Sequence, residues 1–182
     1  MFSFFEQVAK LSNVFRWSGT WCVEKESVKS HSYDVVVLSH LFALEMNKTQ
    51  NLNIQRVVLY ATYHDISETL TSDLPNPVKY MNPEIEQAFK NVEEVAERQM
   101  LDMLPEDLKA DFYDGVFANI TPEEKRVVKA ADIASAYFKT CQEISRGNAD
   151  FAPVKSNLDR IVENYGMDVL TSFCHAISST IR

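Results

Sequence analysis

The sequence predicts an all-α fold: a single bundle of about eight helices forming one domain over residues 1–182. Three observations predict it. Apolar residues recur at three-to-four spacing along most of the chain, and no stretch alternates with period two for long enough to make a strand. Only four glycines occur in 182 residues, which suits a mostly helical chain because glycine weakens helix interiors. Helix start and stop residues punctuate the rest at regular intervals.

Taken in order, Phe2, Phe5, Val8, Leu11 and Val14 form the stripe of an amphipathic helix over residues 2–15. Residues 16–30, with Gly19, Trp17 and Trp21, break the periodicity and read as a structured loop in which Trp21 packs beneath the chain. The segment SHSYDVVVLSHLFALEM resumes a helix whose apolar density predicts a central, buried position. Asn53 caps the next helix, which leads through Val57, Val58 and Ala61 into YHDISETLTSDLP. Pro75 and Pro77 forbid regular helix around them. Asn82–Pro83 starts a helix to about Met103, and Pro105 sits in the first turn of another. Thr121-Pro122-Glu123-Glu124 is a capping box opening a long helix through Asp132 to about Ser145, closed by Gly147. Two final helices span 151–164 and 167–181, separated by Gly166.

Composition bounds the function. A net charge of -8 argues against a broad surface for nucleic acid polymers, which need clustered Lys and Arg. No apolar run approaches the ~20 residues of a membrane span. The N-terminal stripe carries Glu6 and Lys10 and lacks a basic leader, so it is not read as a signal peptide. Cys22, Cys141 and Cys174 are odd in number and without CxxC spacing, which fits small hydrophobes in a reducing compartment. A cytoplasmic location is expected, the host's if the gene is a phage's.

The chemistry concentrates at residues 63–75. On a helix His64 and Glu68 would share a face, with Asp65 about a quarter turn away, so all three can border one cavity. Burying such groups costs several kcal/mol unless a cation or hydrogen bonds offset it. His31, at the start of an apolar helix, and Asp132, interrupting VVKAADIASAYF, are suitable further ligands. Singly, each also fits a structural role. Together, two imidazoles and two carboxylates make an N₂O₂ set for one divalent metal ion, with Co, Mn, Zn, Ni, Fe and Mg all open. His40 and His175 sit in ordinary helical contexts and read as structural.

The order H…HD…D, with RW at 16–17, ESVKSHS at 26–32, YHDISETLTSDLPNPVKY at 63–80 and EEKRVVKAAD at 123–132, resembles the HD-domain metal-dependent phosphohydrolases. Over roughly residues 10–145 it is similar to their 5'-deoxynucleotidases of the YfbR type. HD…D marks the whole superfamily, whereas HDxSExLTxDLPxPVKY with an upstream RW marks this branch. The segment SGTWCVEK, Ser30 and a shorter C-terminal region depart from its usual pattern.

The resemblance implies roles residue by residue. His31, His64, Asp65 and Asp132 match the metal ligands, with Asp65 and Asp132 also against the substrate. Glu68 matches the catalytic glutamate that holds or deprotonates water, and Arg16 the residue that orients phosphate. Trp17 matches the aromatic that favours deoxyribose by occupying the place of a 2'-hydroxyl. Asp73, Leu74, Pro75 and Asn76 match the substrate-contacting turn. Lys79 is a further candidate phosphate cation, a solvated lysine being the alternative. The implied reaction is metal-dependent hydrolysis of a 2'-deoxynucleotide at the α-phosphorus, releasing deoxynucleoside and phosphate. The DatZ branch of phage dATP triphosphohydrolases, similar in the same residues, offers the alternative of triphosphate release, with Lys79 and Lys125 as the extra cations. A nucleotide-binding regulatory module without turnover is the alternative of another class. The implied partners are a small-molecule deoxynucleotide and further copies of the chain, a dimer or higher, with no nucleic acid polymer and no membrane.

Overall fold

The computed structural model describes residues 1–181, with Asn76 described by its backbone alone. The helices are α1 (Phe2–Lys10), α2 (Val28–Met46), α3 (Ile54–Tyr63), α4 (Glu68–Thr71), α5 (Asn76–Lys79), α6 (Pro83–Asp102), α7 (Glu106–Tyr113), α8 (Pro122–Ser145), α9 (Ala152–Tyr165) and α10 (Asp168–Thr180). The fold is all-α, as predicted, and eight of these helices have eight residues or more. Among the described residues the β geometry is confined to one antiparallel bridge, Phe15 with Ser27. Among the described residues no helix is long and apolar enough to cross a membrane.

The described residues form two compact units. The first comprises Met1–Thr20, Lys25–Ser32 and Tyr63–Asn119. Its core joins Phe4, Ile66, Met100 and Leu104, with Val8, Tyr63, Phe112 and Phe117 packed against them. Tyr63 meets Phe112 edge-on at 4.8 Å between ring centroids, a favoured aromatic geometry. Because Ile66 belongs to this core, the HDISE segment is pinned by an apolar side chain in its middle.

The second unit comprises Trp21–Glu24, Tyr33–Thr62 and the chain from Ile120 onward. Helix α8 is its axis, buried along most of its length and flanked by Leu158 and Val162 of α9 and Leu170, Cys174 and Ile177 of α10. The predicted capping box is present: Glu124 N donates to Thr121 Oγ1 at 3.2 Å, and Thr121 N to Glu124 Oε2 at 2.9 Å. The other Glu124 oxygen accepts from Asn53 N at 3.0 Å, so the same buried carboxylate also ties down the start of α3.

Four expectations need correction. The helix expected over 2–15 stops at Lys10, followed by a tight turn at Leu11–Asn13, because the next residues pair with 26–28: Arg16 N donates to Glu26 O and Val28 N to Val14 O. Helix α2 is not buried all round. Val35, Phe42 and Ala43 are, but Tyr33, Val37, Leu41 and Leu44 are 70%, 41%, 53% and 46% exposed. Trp21 is 65% exposed rather than packed beneath the loop. Pro77 does not exclude helix: it lies early in the one-turn α5, where its missing N–H has no intrahelical partner to lose.

Candidate active site

Helix α3 ends at Tyr63, so His64 and Glu68 do not share one continuous helix face. The chain goes through two tight turns, Ile66 N to Tyr63 O and Glu68 N to Asp65 O, both 3.0 Å, before α4 begins at Glu68. Asp and Ser side chains compete with helical hydrogen bonding and favour such turns. At the far end of α4, Ser72 takes a left-handed backbone (φ 62°), which redirects the chain into Asp73-Leu74-Pro75.

His31, on the first turn of α2, is fully buried, and its backbone N–H bonds Ser27 O at 3.0 Å. Its Nε2 lies 3.6 Å from Asp65 Oδ2, and His64 Nε2 lies 3.0 Å from the same oxygen. The two imidazole centroids are 5.7 Å apart. Three of the four predicted ligands thus converge within the first unit, and their mixed N/O chemistry suits a divalent cation. Asp132 lies on α8 in the second unit, where Lys129 Nζ approaches its carboxylate at 2.7 Å.

Glu68 borders this group. Its Oε2 is buried and has no hydrogen-bond partner among the described residues. Burial raises its pKa, the charges of Asp65 and Asp73 add to the effect, and Arg16 and His64 oppose it; the outcome is about 9. Asp73 is raised too, chiefly by burial, with Arg16 the strongest opposing influence. Glu68, Asp65, Asp73, Arg16 and His64 therefore feel one another in a partly desolvated space, the setting in which functional carboxyls are found.

Arg16 and Trp17 are both held by Glu26. Arg16 Nε lies 3.3 Å from Glu26 Oε2, and the Trp17 indole donates to the same oxygen at 2.8 Å. Sequence periodicity does not point to Glu26, although it opens the ESVKSHS motif; an acidic residue five positions before His31 carries no periodicity signal. Lys79 Nζ bonds Glu93 at 2.5 Å. Pro75 O accepts from Val78 N and Lys79 N, which fixes the turn after Asp73 and Leu74. The Asn76 side chain lies outside the described residues. Lys125 stands over the Tyr60 ring in the second unit.

Comparison with known proteins decides the family. The family described as 5'-deoxynucleotidase YfbR-like matches residues 3–181. This chain belongs to it. The YfbR-like assignment makes the chain a hydrolase and agrees with curated relatives: it is 42% identical over 159 residues to a 5'-deoxynucleotidase of Vibrio cholerae, covering 86% of this chain and 82% of that one. Two solved structures share the fold. An HD-domain phosphohydrolase from Listeria innocua superposes with a TM-score of 0.83 at 24% identity, covering 99% of this chain and 88% of that one. The DatZ phosphohydrolase of cyanophage S-2L, solved with dA and one catalytic Zn2+ ion, gives a TM-score of 0.66 at 18% identity, covering 97% and 95%.

Proposed function

We propose that this chain hydrolyses 2'-deoxynucleoside 5'-monophosphates to deoxynucleoside and inorganic phosphate, with one divalent cation as cofactor. The observation that carries the reading is the convergence of His31, His64 and Asp65 beside Glu68, whose buried Oε2 has no hydrogen-bond partner among the described residues. Those three residues hold the cation, and Asp132 is the fourth donor on the strength of the family resemblance. When bound, the cation neutralises developing charge on the phosphoryl oxygens and acidifies water.

The chain's own groups do the rest. Arg16 orients the phosphate through its forked donors. Glu68, its own proton released to solvent, holds the attacking water and takes its proton. The water oxygen bonds to phosphorus as the P–O5' bond breaks, and the electron pair leaves on O5', which becomes the free hydroxyl by receiving the proton that Glu68 took from the water. Trp17 packs where a 2'-hydroxyl would lie, and Asp73, Leu74, Pro75 and Asn76 receive the nucleoside, with Asp65 and Asp132 also against the substrate. Engagement of Lys79 by Glu93 supports a monophosphate over a triphosphate, whose β and γ groups need further cations.

The same reading includes self-assembly. Tyr33, Val37, Leu41 and Leu44 present apolar surface at three-to-four spacing on one face of α2, an area that a second copy covers. It also includes a cytoplasmic location, supported by the buried free thiols of Cys141 and Cys174.

The test is to strip the protein of metal, restore each divalent metal in turn, and identify products from a panel of deoxy- and ribonucleoside mono-, di- and triphosphates. Phosphate and deoxynucleoside from the monophosphates are expected. Triphosphate release would replace the reading with the DatZ reaction, and no product from any substrate with any metal would leave a binding module.

A further inference from the structure

We infer that Glu26 is a positioning residue that locks the phosphate-orienting Arg16 and the sugar-selecting Trp17 to one another. The inference rests on the roles proposed above for those two side chains. Glu26 is only 9% exposed. A single carboxylate oxygen, Oε2, lies 2.8 Å from the Trp17 indole nitrogen and 3.3 Å from Arg16 Nε. The backbone repeats the coupling: Arg16 N donates to Glu26 O at 3.0 Å, and Phe15 pairs with Ser27.

Trp17 requires such a hold. Its backbone is left-handed (φ 64°), a conformation that non-glycine residues adopt at a cost and keep only when the surroundings impose it. A turn bond from Thr20 N to Trp17 O at 2.9 Å closes the backbone on one side, and the indole bond to Glu26 fixes the ring on the other. The Arg16 guanidinium stands 5.8 Å from the Trp17 ring centroid. Its charge reaches Glu68 and Asp73, partly offsetting the rise in pKa that burial gives both. One buried carboxylate therefore sets where the guanidinium sits relative to the catalytic carboxyl and where the indole sits relative to the sugar.

The consequence is that sugar discrimination and phosphate affinity share a determinant that touches neither group. The experiment uses the full chain carrying Trp21→Phe, which leaves Trp17 as the sole tryptophan, and compares Glu26→Ala and Glu26→Gln with that parent. Metal content, thermal midpoint, Trp17 emission, and kcat and KM on matched 2'-deoxy- and ribonucleoside 5'-monophosphates are measured. Glu26→Ala is expected to keep the metal, shift Trp17 emission, raise KM and shrink the deoxy-over-ribo preference by roughly 10-fold or more, the loss typical of a hydrogen bond to a charged group. Glu26→Gln retains an acceptor oxygen for the indole but not the charge; it is expected to keep the sugar preference within about threefold while still raising KM. Parent-like KM and sugar preference in both variants, with only a lower thermal midpoint, would overturn the inference, as would unchanged Trp17 emission in Glu26→Ala. If Glu26→Ala does not fold, an unchanged KM in Glu26→Gln overturns it. A parent that turns over no nucleotide sinks the proposed function instead, and the emission spectra then decide the positioning.

Discussion

Lys139 Nζ lies 2.5 Å from the Glu143 carboxylate, one turn apart on α8, with both side chains buried. Glu143 also accepts from Val23 N at 2.8 Å, Glu24 N at 3.1 Å and Asn148 Nδ2 at 2.8 Å. The pair therefore clamps residues 21–24 to the second unit. Removing one partner of a buried pair leaves the other charge uncompensated, so Glu143→Ala should cost about 3–5 kcal/mol in urea unfolding. A loss under 1 kcal/mol would show the clamp to be ornamental.

The same carboxylate predicts acid sensitivity. Burial alone would raise its pKa; the bonds from Lys139, Asn148, Val23 and Glu24 outweigh burial and bring it to about 2, against 4.5 for an ordinary glutamate. A group depressed in the folded state stabilises above its unfolded pKa, so the contribution is complete above pH 4.5 and disappears as pH falls toward 2. Unfolding midpoints of Glu143→Gln and wild type are expected to draw together across that window. A constant gap down to pH 2 would contradict the assignment.

Glu68→Gln should abolish turnover while leaving metal content unchanged, as measured by elemental analysis. It should also raise the thermal midpoint of the metal-free protein by a few degrees, since ~1 kcal/mol moves a chain of this size by ~2–4 °C. The reason is that the raised pKa of about 9 marks a carboxyl whose ionised form is disfavoured by folding. Loss of metal with this substitution would make Glu68 a ligand.

His31→Ala and Asp132→Ala should each weaken divalent-metal binding by at least the ~10–100-fold seen when groups supporting metal ligands are lost. Chelation of the wild type should lower its thermal midpoint, because a ligand at 100 times its Kd stabilises by about 2.7 kcal/mol. Full metal occupancy in Asp132→Ala would remove that residue from the donor set.

Leu41→Glu places a charge in the middle of the exposed α2 stripe. Light scattering is expected to report a smaller particle than wild type at equal concentration, with helix content retained. An unchanged mass would send the search for an interface elsewhere.

Much of this was legible in the residues. Capping signals at Asn53, Asn82 and Thr121 are local chemistry, and each operates in the structure as read: Arg56 N bonds Asn53 Oδ1 at 3.1 Å and Ile85 N bonds Asn82 Oδ1 at 2.8 Å. His31, His64 and Asp65 stood out as candidate donors because ionisable groups inside apolar runs are costly without a purpose, and the structure places the three side by side. Less visible was the break of α3 at Tyr63. Periodicity carried the helix onward through HDISE, whereas tight turns at Ile66 and Glu68 end it.

By itself the sequence determined the helical architecture, its punctuation and the kinds of atoms that a site would contain, because propensity, caps and periodicity act within a few residues of one another. Only the tertiary structure decided that Glu26 serves both Arg16 and Trp17, that Glu93 claims Lys79, and that Leu41 faces solvent while Phe42 is buried. Those outcomes depend on which distant segments meet, and pairing over long sequence separation leaves no periodic trace in the chain.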